Sequence, residues 1–445
     1  MRTPLRLLLA LLFGLYLAAC ETHSVGPTDE VTSAISSNPS LSGGILARSQ
    51  PLPTPTAVPT PTSTPEPTQA QLRLVIWWAA ELLPTPGSAA ETVLNAQFAG
   101  FRNSPDAPSL IVRAKRSEGV GGILSTLRSA SRVAPGALPD LALLRRADLP
   151  AAARDRLIAP LSASMPAALR RNLTPAALAL GTVEDVVYGV AYLLEVQHVV
   201  YRPAAFETPP LTFAAVLDAG QPFAFPLGGE DGVNTALLIP YAVAGGQLAD
   251  EAGAPVLDEA PLRTVLEFYE QAVAAGLIGP EALAYHTAED YWDAFLDGAF
   301  DLAQVDSSIY LTSSLQQMGI VAAPPITTTG EARTCLDGWL WVMTTSDPDR
   351  QAGAWRLLEW LMQAERQAAF AQAMNRVPSL ESALALWNAG DYGALMATLL
   401  ANDTPILAGN SGPAVETLQA ALEAVINGEQ SAAEAAEAAT GSTPS

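Results

Sequence analysis

The sequence predicts an α/β protein of two lobes, the first built on a doubly wound sheet. Three observations predict it. Strand-like and helix-like segments alternate from Leu72 to Leu144. About 360 residues follow the N-terminal region, more than one hydrophobic core usually serves. That body is rich in alanine and leucine, and charged residues make up only 15% of the chain.

The first element is a leader. Met1–Arg6 carries Arg2 and Arg6, and an apolar run from Leu7 to Leu17 follows. The run is too short and wrongly flanked for a membrane span. It ends at Leu17-Ala18-Ala19-Cys20, which resembles the bacterial lipobox. That resemblance implies cleavage before Cys20 and a lipid on it, holding the chain on the outer face of the cytoplasmic membrane. Each buried acyl methylene adds about 0.8 kcal/mol to such an anchor. Residues 21–70 have no hydrophobic periodicity and are dense in Pro, Thr and Ser. They bury too little apolar surface to offset ordering entropy, so they are expected to form an extended tether.

Charge excludes some partners. The chain has 23 basic and 45 acidic residues. Without Arg2 and Arg6 the net charge is −24. Nucleic acid needs clustered Lys and Arg, so it is not an expected partner. Adhesion to anionic lipid by charge is disfavoured too, which leaves the anchor to Cys20. Only Cys335 follows Cys20, so the body has no internal disulfide, and Cys335 is expected to be a buried small residue.

Within the body, Leu72-Arg-Leu-Val-Ile-Trp77-Trp78 is apolar on both alternating faces, as a strand covered on both sides would be. Val93, Leu94, Phe98 and Phe101 show helical spacing. Ser109–Ala114 reads as a second strand, Gly121–Val133 as a second helix, and Pro139–Leu144 as a third strand. This order gives a doubly wound lobe. Such lobes bind ligands beyond the carboxyl ends of their strands, where Trp77, Trp78, Arg116, Ser117 and Arg145 fall.

Further motifs follow in order. Ala134-Pro-Gly-Ala-Leu-Pro139-Asp140 precedes a strand, and Leu157-Ile-Ala-Pro-Leu161 comes after it. Val187-Tyr188-Gly189-Val-Ala-Tyr192 leads to His198-Val-Val-Tyr201-Arg-Pro-Ala-Ala-Phe206. Later come Phe295-Leu-Asp-Gly298-Ala-Phe300, Asp337-Gly338-Trp339-Leu-Trp341, a helix with Trp355 and Trp360, and Asn375-Arg-Val-Pro378. This succession, from Leu72 to Ala439, resembles the solute-binding proteins that feed ABC importers, the maltose-binding-like group. Arg202-Pro203 replaces the usual Asn-Lys of that group.

The resemblance implies a periplasmic-binding-protein-like fold, each lobe a doubly wound sheet, with the ligand cleft between. It implies lobe 1 at 71–190 and 328–376, lobe 2 at 191–327 and 377–440, and a tail at 441–445. It also implies a monomer that closes on a small solute and delivers it to ABC permease subunits. No cofactor and no enzymatic step are implied.

A sugar, as mono- or oligosaccharide, needs flat aromatic platforms and short polar groups. Trp77, Trp78, Tyr192, Tyr310, Trp339 and Trp341 are the candidate platforms, with stacking expected first from Trp77, Trp78 and Trp339. Glu81, Glu195, Asp231, Asn234, Asp306, Ser307, Asp337 and Asn375 are candidates for hydroxyl contacts, beside Arg116, Ser117 and Arg145. Trp355, Leu358 and Met362 share a helical stripe and are expected in the core. Glu195-x-x-His198 has metal-site spacing on a segment that reads as extended, so a structural histidine is expected. Nucleophile-elbow, phosphate-loop, zincin and Cys-x-x-Cys motifs are absent from the sequence. Two other classes fit the same fold: a tethered sensor or adhesion module, and a surface glycoside-active enzyme.

Overall fold

The computed structural model describes residues 72–442, apart from 230–233, 251–253, 314–317, 388, 403–405 and 408–411. The leader, Cys20, the tether and Asp231 lie outside the described residues. The strands are β1 Arg73–Ala79, β2 Ser109–Lys115, β3 Leu141–Arg145, β4 Thr182–Val183, β5 Val186–Val187 and β6 Gly189–Tyr201. They continue with β7 Phe223–Ala224, β8 Leu302–Asp306, β9 Val321–Ala323, β10 Cys335–Met343, β11 Val377–Pro378 and β12 Ile406–Leu407.

The first half folds as its alternation predicts. β1 lies between β2 and β3, parallel to both, with Ile76 opposite Val112 on one side and Leu141 on the other. Its apolar run is buried on both faces, whereas β2 is a more exposed edge. The helix Ala89–Arg102 starts at Ser88, whose hydroxyl accepts the Glu91 N–H at 3.1 Å. Asp140, just before β3, is 1% exposed. It accepts the Val75 N–H at 2.7 Å and a two-pronged contact from Arg350 at 2.6 and 2.7 Å. That one carboxylate ties β1, β3 and the helix Pro348–Leu361 together.

The sheet turns mixed at β10, which runs antiparallel to both β3 and β6. β6 is the pivotal strand. Its residues up to Val196 pair with β10, and from Gln197 onward it pairs with β8 and β9. One strand therefore carries the chain from the first sheet into the second, and among the described residues the two sheets are continuous through it. Tyr192 is an extra residue in β6, because Leu340 faces Ala191 while Trp339 faces Leu193.

Two hydrophobic cores follow this division. The first includes Ile76, Trp78, Phe98, Trp341, Leu358 and Phe370. Gln367 is fully buried inside it and fully satisfied: its amide donates to the Tyr192 carbonyl and Ser379 Oγ and accepts the Leu380 N–H. The second core includes Val199, Phe223, Phe268, Tyr269, Leu418 and Leu422. The segment 377–400 differs from the expected division. Leu380, Leu384, Tyr392, Met396 and Leu399 pack into the first core, not the second. β11 is the reason, because it pairs with Leu193 and Leu194 in the first half of β6. Apolar residues from Leu418 to Ala439 pack in the second core. Among the described residues no helix is long and apolar enough to cross a membrane.

Candidate ligand cleft at the strand ends

The carboxyl ends of β1, β2 and β3 meet the middle of β6 and the start of β10, and polar side chains gather there. Glu81 follows β1, and its carboxylate accepts the Ser117 N–H at 3.0 Å. Burial pushes the Glu81 carboxyl up, but the Ser117 bonds and nearby Arg116 leave it below its ordinary value. Ser117 is buried, and Arg116 is exposed. Next to Ser117, Glu118 lies 3.6 Å from Arg145 at the end of β3.

Arg145 is the centre of the group. Its Nη2 donates to Asp337 Oδ2 at 2.6 Å and lies 3.7 Å from Glu195 Oε2. Its guanidinium sits 5.6 Å from the Trp339 ring centroid. Burial lowers the Arg145 pKa, yet Asp337, Glu195 and Glu118 together raise it above the ordinary value. Asp337 and Glu195 are direct partners across β10 and β6, so their side chains share a face. Gly338 permits the close approach: a Cβ there would sit 2.5 Å from the Leu193 carbonyl oxygen. Arg376 closes the group, 3.1 Å from Glu195 Oε1. Burial, with Asp337 and Asp306 nearby, pushes Glu195 up to about 7, against the pull of Arg376 and Arg145.

Other predicted residues have different tasks. Trp78 and Tyr192 are fully buried, as is Trp341. They pack against each other and against Phe370, so they are core rings and present no face to a ligand. Trp77 is 2% exposed, with Lys115 Nζ 4.7 Å from its ring centroid. Trp339 is 4% exposed. Asn234 is a helix cap: it accepts the Leu237 N–H at 3.1 Å and donates to the Leu227 carbonyl and Gln419. Ser307 is buried, and its hydroxyl accepts the Val196 N–H where β6 changes partners. Asp306 caps the short helix Ser307–Thr312.

Tyr310 and Asn375 line a separate cavity of about 830 Å³, together with Gln372, Trp387, Asp391 and Tyr392. Tyr310 stacks on Tyr392, whose hydroxyl is 2.9 Å from His198 Nε2. His198 is fully buried, and burial pushes it down to about 4. Glu195 and His198 stand three apart on a strand, so they project to opposite faces. They cannot act as one pair, and His198 is structural. Cys335 is also buried, its thiol pushed up to about 12 by burial.

Sequence reasoning missed Glu118 and Arg376. Arg376 stood inside the quoted Asn375–Pro378 turn, where Asn375 was preferred.

A family model for bacterial extracellular solute-binding proteins matches residues 118–397. The chain belongs to that family. Its fold is also that of solved binding proteins. The cyclic α-maltosyl-1,6-maltose binding protein of Arthrobacter globiformis has a TM-score of 0.66 at 16% identity, covering 84% of this chain and 98% of that one. The sugar-binding protein MalE of Xanthomonas citri has a TM-score of 0.66 at 18% identity, covering 83% and 96%. A solute binding protein of Thermotoga lettingae, solved with α-D-tagatose, has a TM-score of 0.60 at 18% identity, covering 84% and 99%. No curated protein matches the chain. It is thus an extracellular solute-binding protein with a two-lobed α/β fold.

Proposed function

We propose that this protein is a lipid-anchored receptor that captures a carbohydrate by lobe closure and delivers it to an ABC-type importer. The observation that carries the reading is the polar group Glu81, Ser117, Arg145, Glu195 and Asp337, set at strand ends where one strand passes between the two sheets. A ring of hydroxyls needs such a mixture of donors and acceptors. The Arthrobacter globiformis protein binds cyclic α-maltosyl-1,6-maltose and the Thermotoga lettingae protein was solved with α-D-tagatose, which supports the same class here. The hinge would run through β6 between Val196 and Gln197, where its partners change. Cys20 would carry the lipid and residues 21–70 would hold the body clear of the membrane. The solute leaves unchanged, since the chain's task is capture and release.

A thermal-shift screen over sugars, polyols and other solutes tests this. A true ligand at 100 times its dissociation constant should add about 2.7 kcal/mol of stability. A screen in which only non-carbohydrates stabilise the protein would overturn the carbohydrate class.

A further inference from the structure

We propose that the cavity lined by Tyr310, Asn375 and Tyr392 is a second solute site, separate from the strand-end group and built for a neutral sugar or polyol ring. This site adds to the capture site proposed above and does not rest on it.

The cavity lies behind β6. The Tyr392 hydroxyl is 2.9 Å from His198 Nε2, and His198 projects from the face of β6 opposite Glu195. None of Glu81, Ser117, Arg145, Glu195 and Asp337 lines the cavity. Its walls come from both sides of the point where β6 changes partners. Gln372 stands in the last turn of the helix Ala364–Ala373, which packs in the first core through Phe370 and Ala371, and Asn375 lies just past that helix. Val321 and Ala322 belong to β9, which pairs with the second half of β6.

The volume of about 830 Å³ is that of a small-molecule site, which usually takes about 300–1,000 Å³. The buried rings of Tyr310, Trp387 and Tyr392 are its apolar floor, with Trp387 and Tyr392 centroids 5.9 Å apart. Gln372 and Asp391 are exposed and Asn375 is half-buried, so a solute can reach all three. Their side chains make no hydrogen bond among the described residues. Two amides and a carboxylate over aromatic carbon suit hydroxyls above C–H faces. No lysine or arginine lines the cavity among the described residues, and Asp391 repels anions, so the solute is not an acid.

Asn375 offers a clean handle. Its φ is 53°, in the left-handed region that glycine enters freely. Its N–H donates to the Gln372 carbonyl at 3.2 Å and the Arg376 N–H to the Ala371 carbonyl at 2.9 Å, which closes the helix. Glycine makes the same turn, whereas asparagine adds an amide to the cavity wall.

The test is calorimetry on the whole chain with D-glucose, D-galactose, maltose and myo-inositol. At least one should bind both the parent and Asp337→Asn. Asn375→Gly, which keeps the turn, should weaken that binding about 5-fold or more, the worth of one hydrogen bond, with unfolding unchanged. The exposed Gln372→Ala should do the same. Binding that is lost in Asp337→Asn and unchanged in both cavity variants overturns the inference and leaves capture at the strand ends standing. Binding that falls only in the cavity variants upholds the inference and overturns the strand-end site. If none of the four binds, the inference falls, and the thermal-shift screen alone decides the capture reading.

Discussion

Trp78→Ala should lower the unfolding free energy by about 3–5 kcal/mol, the usual cost of removing a large buried ring. Trp78 has no exposed surface. Its ring meets the edges or faces of Phe98, Tyr192, Trp341 and Phe370 at centroid distances of 5.3 to 6.2 Å. Each such pair adds about 0.5–1.5 kcal/mol beyond area burial. Its Nε1–H donates to the Leu82 carbonyl at 3.0 Å, which holds the turn leading from β1 to Glu81. The substitution leaves a cavity in the first core among Phe98, Tyr192, Trp341 and Phe370 and strips a carbonyl of its donor. Urea unfolding measures the effect. A loss below about 1 kcal/mol would contradict the placement of this ring in the core.

Glu195 makes the stability depend on pH in a definite direction. Its carboxyl titrates near 7 in the folded chain against an ordinary value of 4.5. Between those values the folded protein holds a proton that the unfolded chain has released. The stabilising contribution is therefore complete below about pH 4.5 and is lost as pH rises through about 7. At about 1.4 kcal/mol per unit, the span sets a ceiling of about 3 kcal/mol. Glu195→Gln removes the titration. The stability of the wild-type protein minus that of the variant should fall between pH 4.5 and 7 and level off above. A difference that stays flat, or rises, across that range would contradict the half-buried, carboxylate-crowded position of Glu195.

Much of the fold was legible because it is written in local patterns. The apolar run at Leu72–Trp78 and the helical spacing of Val93, Leu94, Phe98 and Phe101 predict β1 and the helix after it without tertiary information. The strand ends were legible too, which is how Arg116, Ser117 and Arg145 came to be named; Glu195 and Asp337 were named only as polar residues able to meet a hydroxyl. Faces were harder. Trp77 and Trp78 are adjacent, and a strand covered on both sides buries both rings, so type and position alone do not separate platform from core. Tyr192 occupies a bulge, which strand alternation does not reveal. Asn234 at a helix start was legible as a cap and was read as a ligand contact. The segment 377–400 joins the first core through a two-residue strand, too short to show a period. Arg376 draws its meaning from Glu195, far away in the chain.

Capture in this protein rests on closure of two lobes around β6. Small-angle X-ray scattering, with and without the sugar that the thermal screen selects, tests it most directly. Ligand shifts a two-state equilibrium only if it favours the closed state by its contacts. Saturating ligand should give a smaller radius of gyration, reversed on dialysis. An unchanged scattering curve with the ligand demonstrably bound would contradict it.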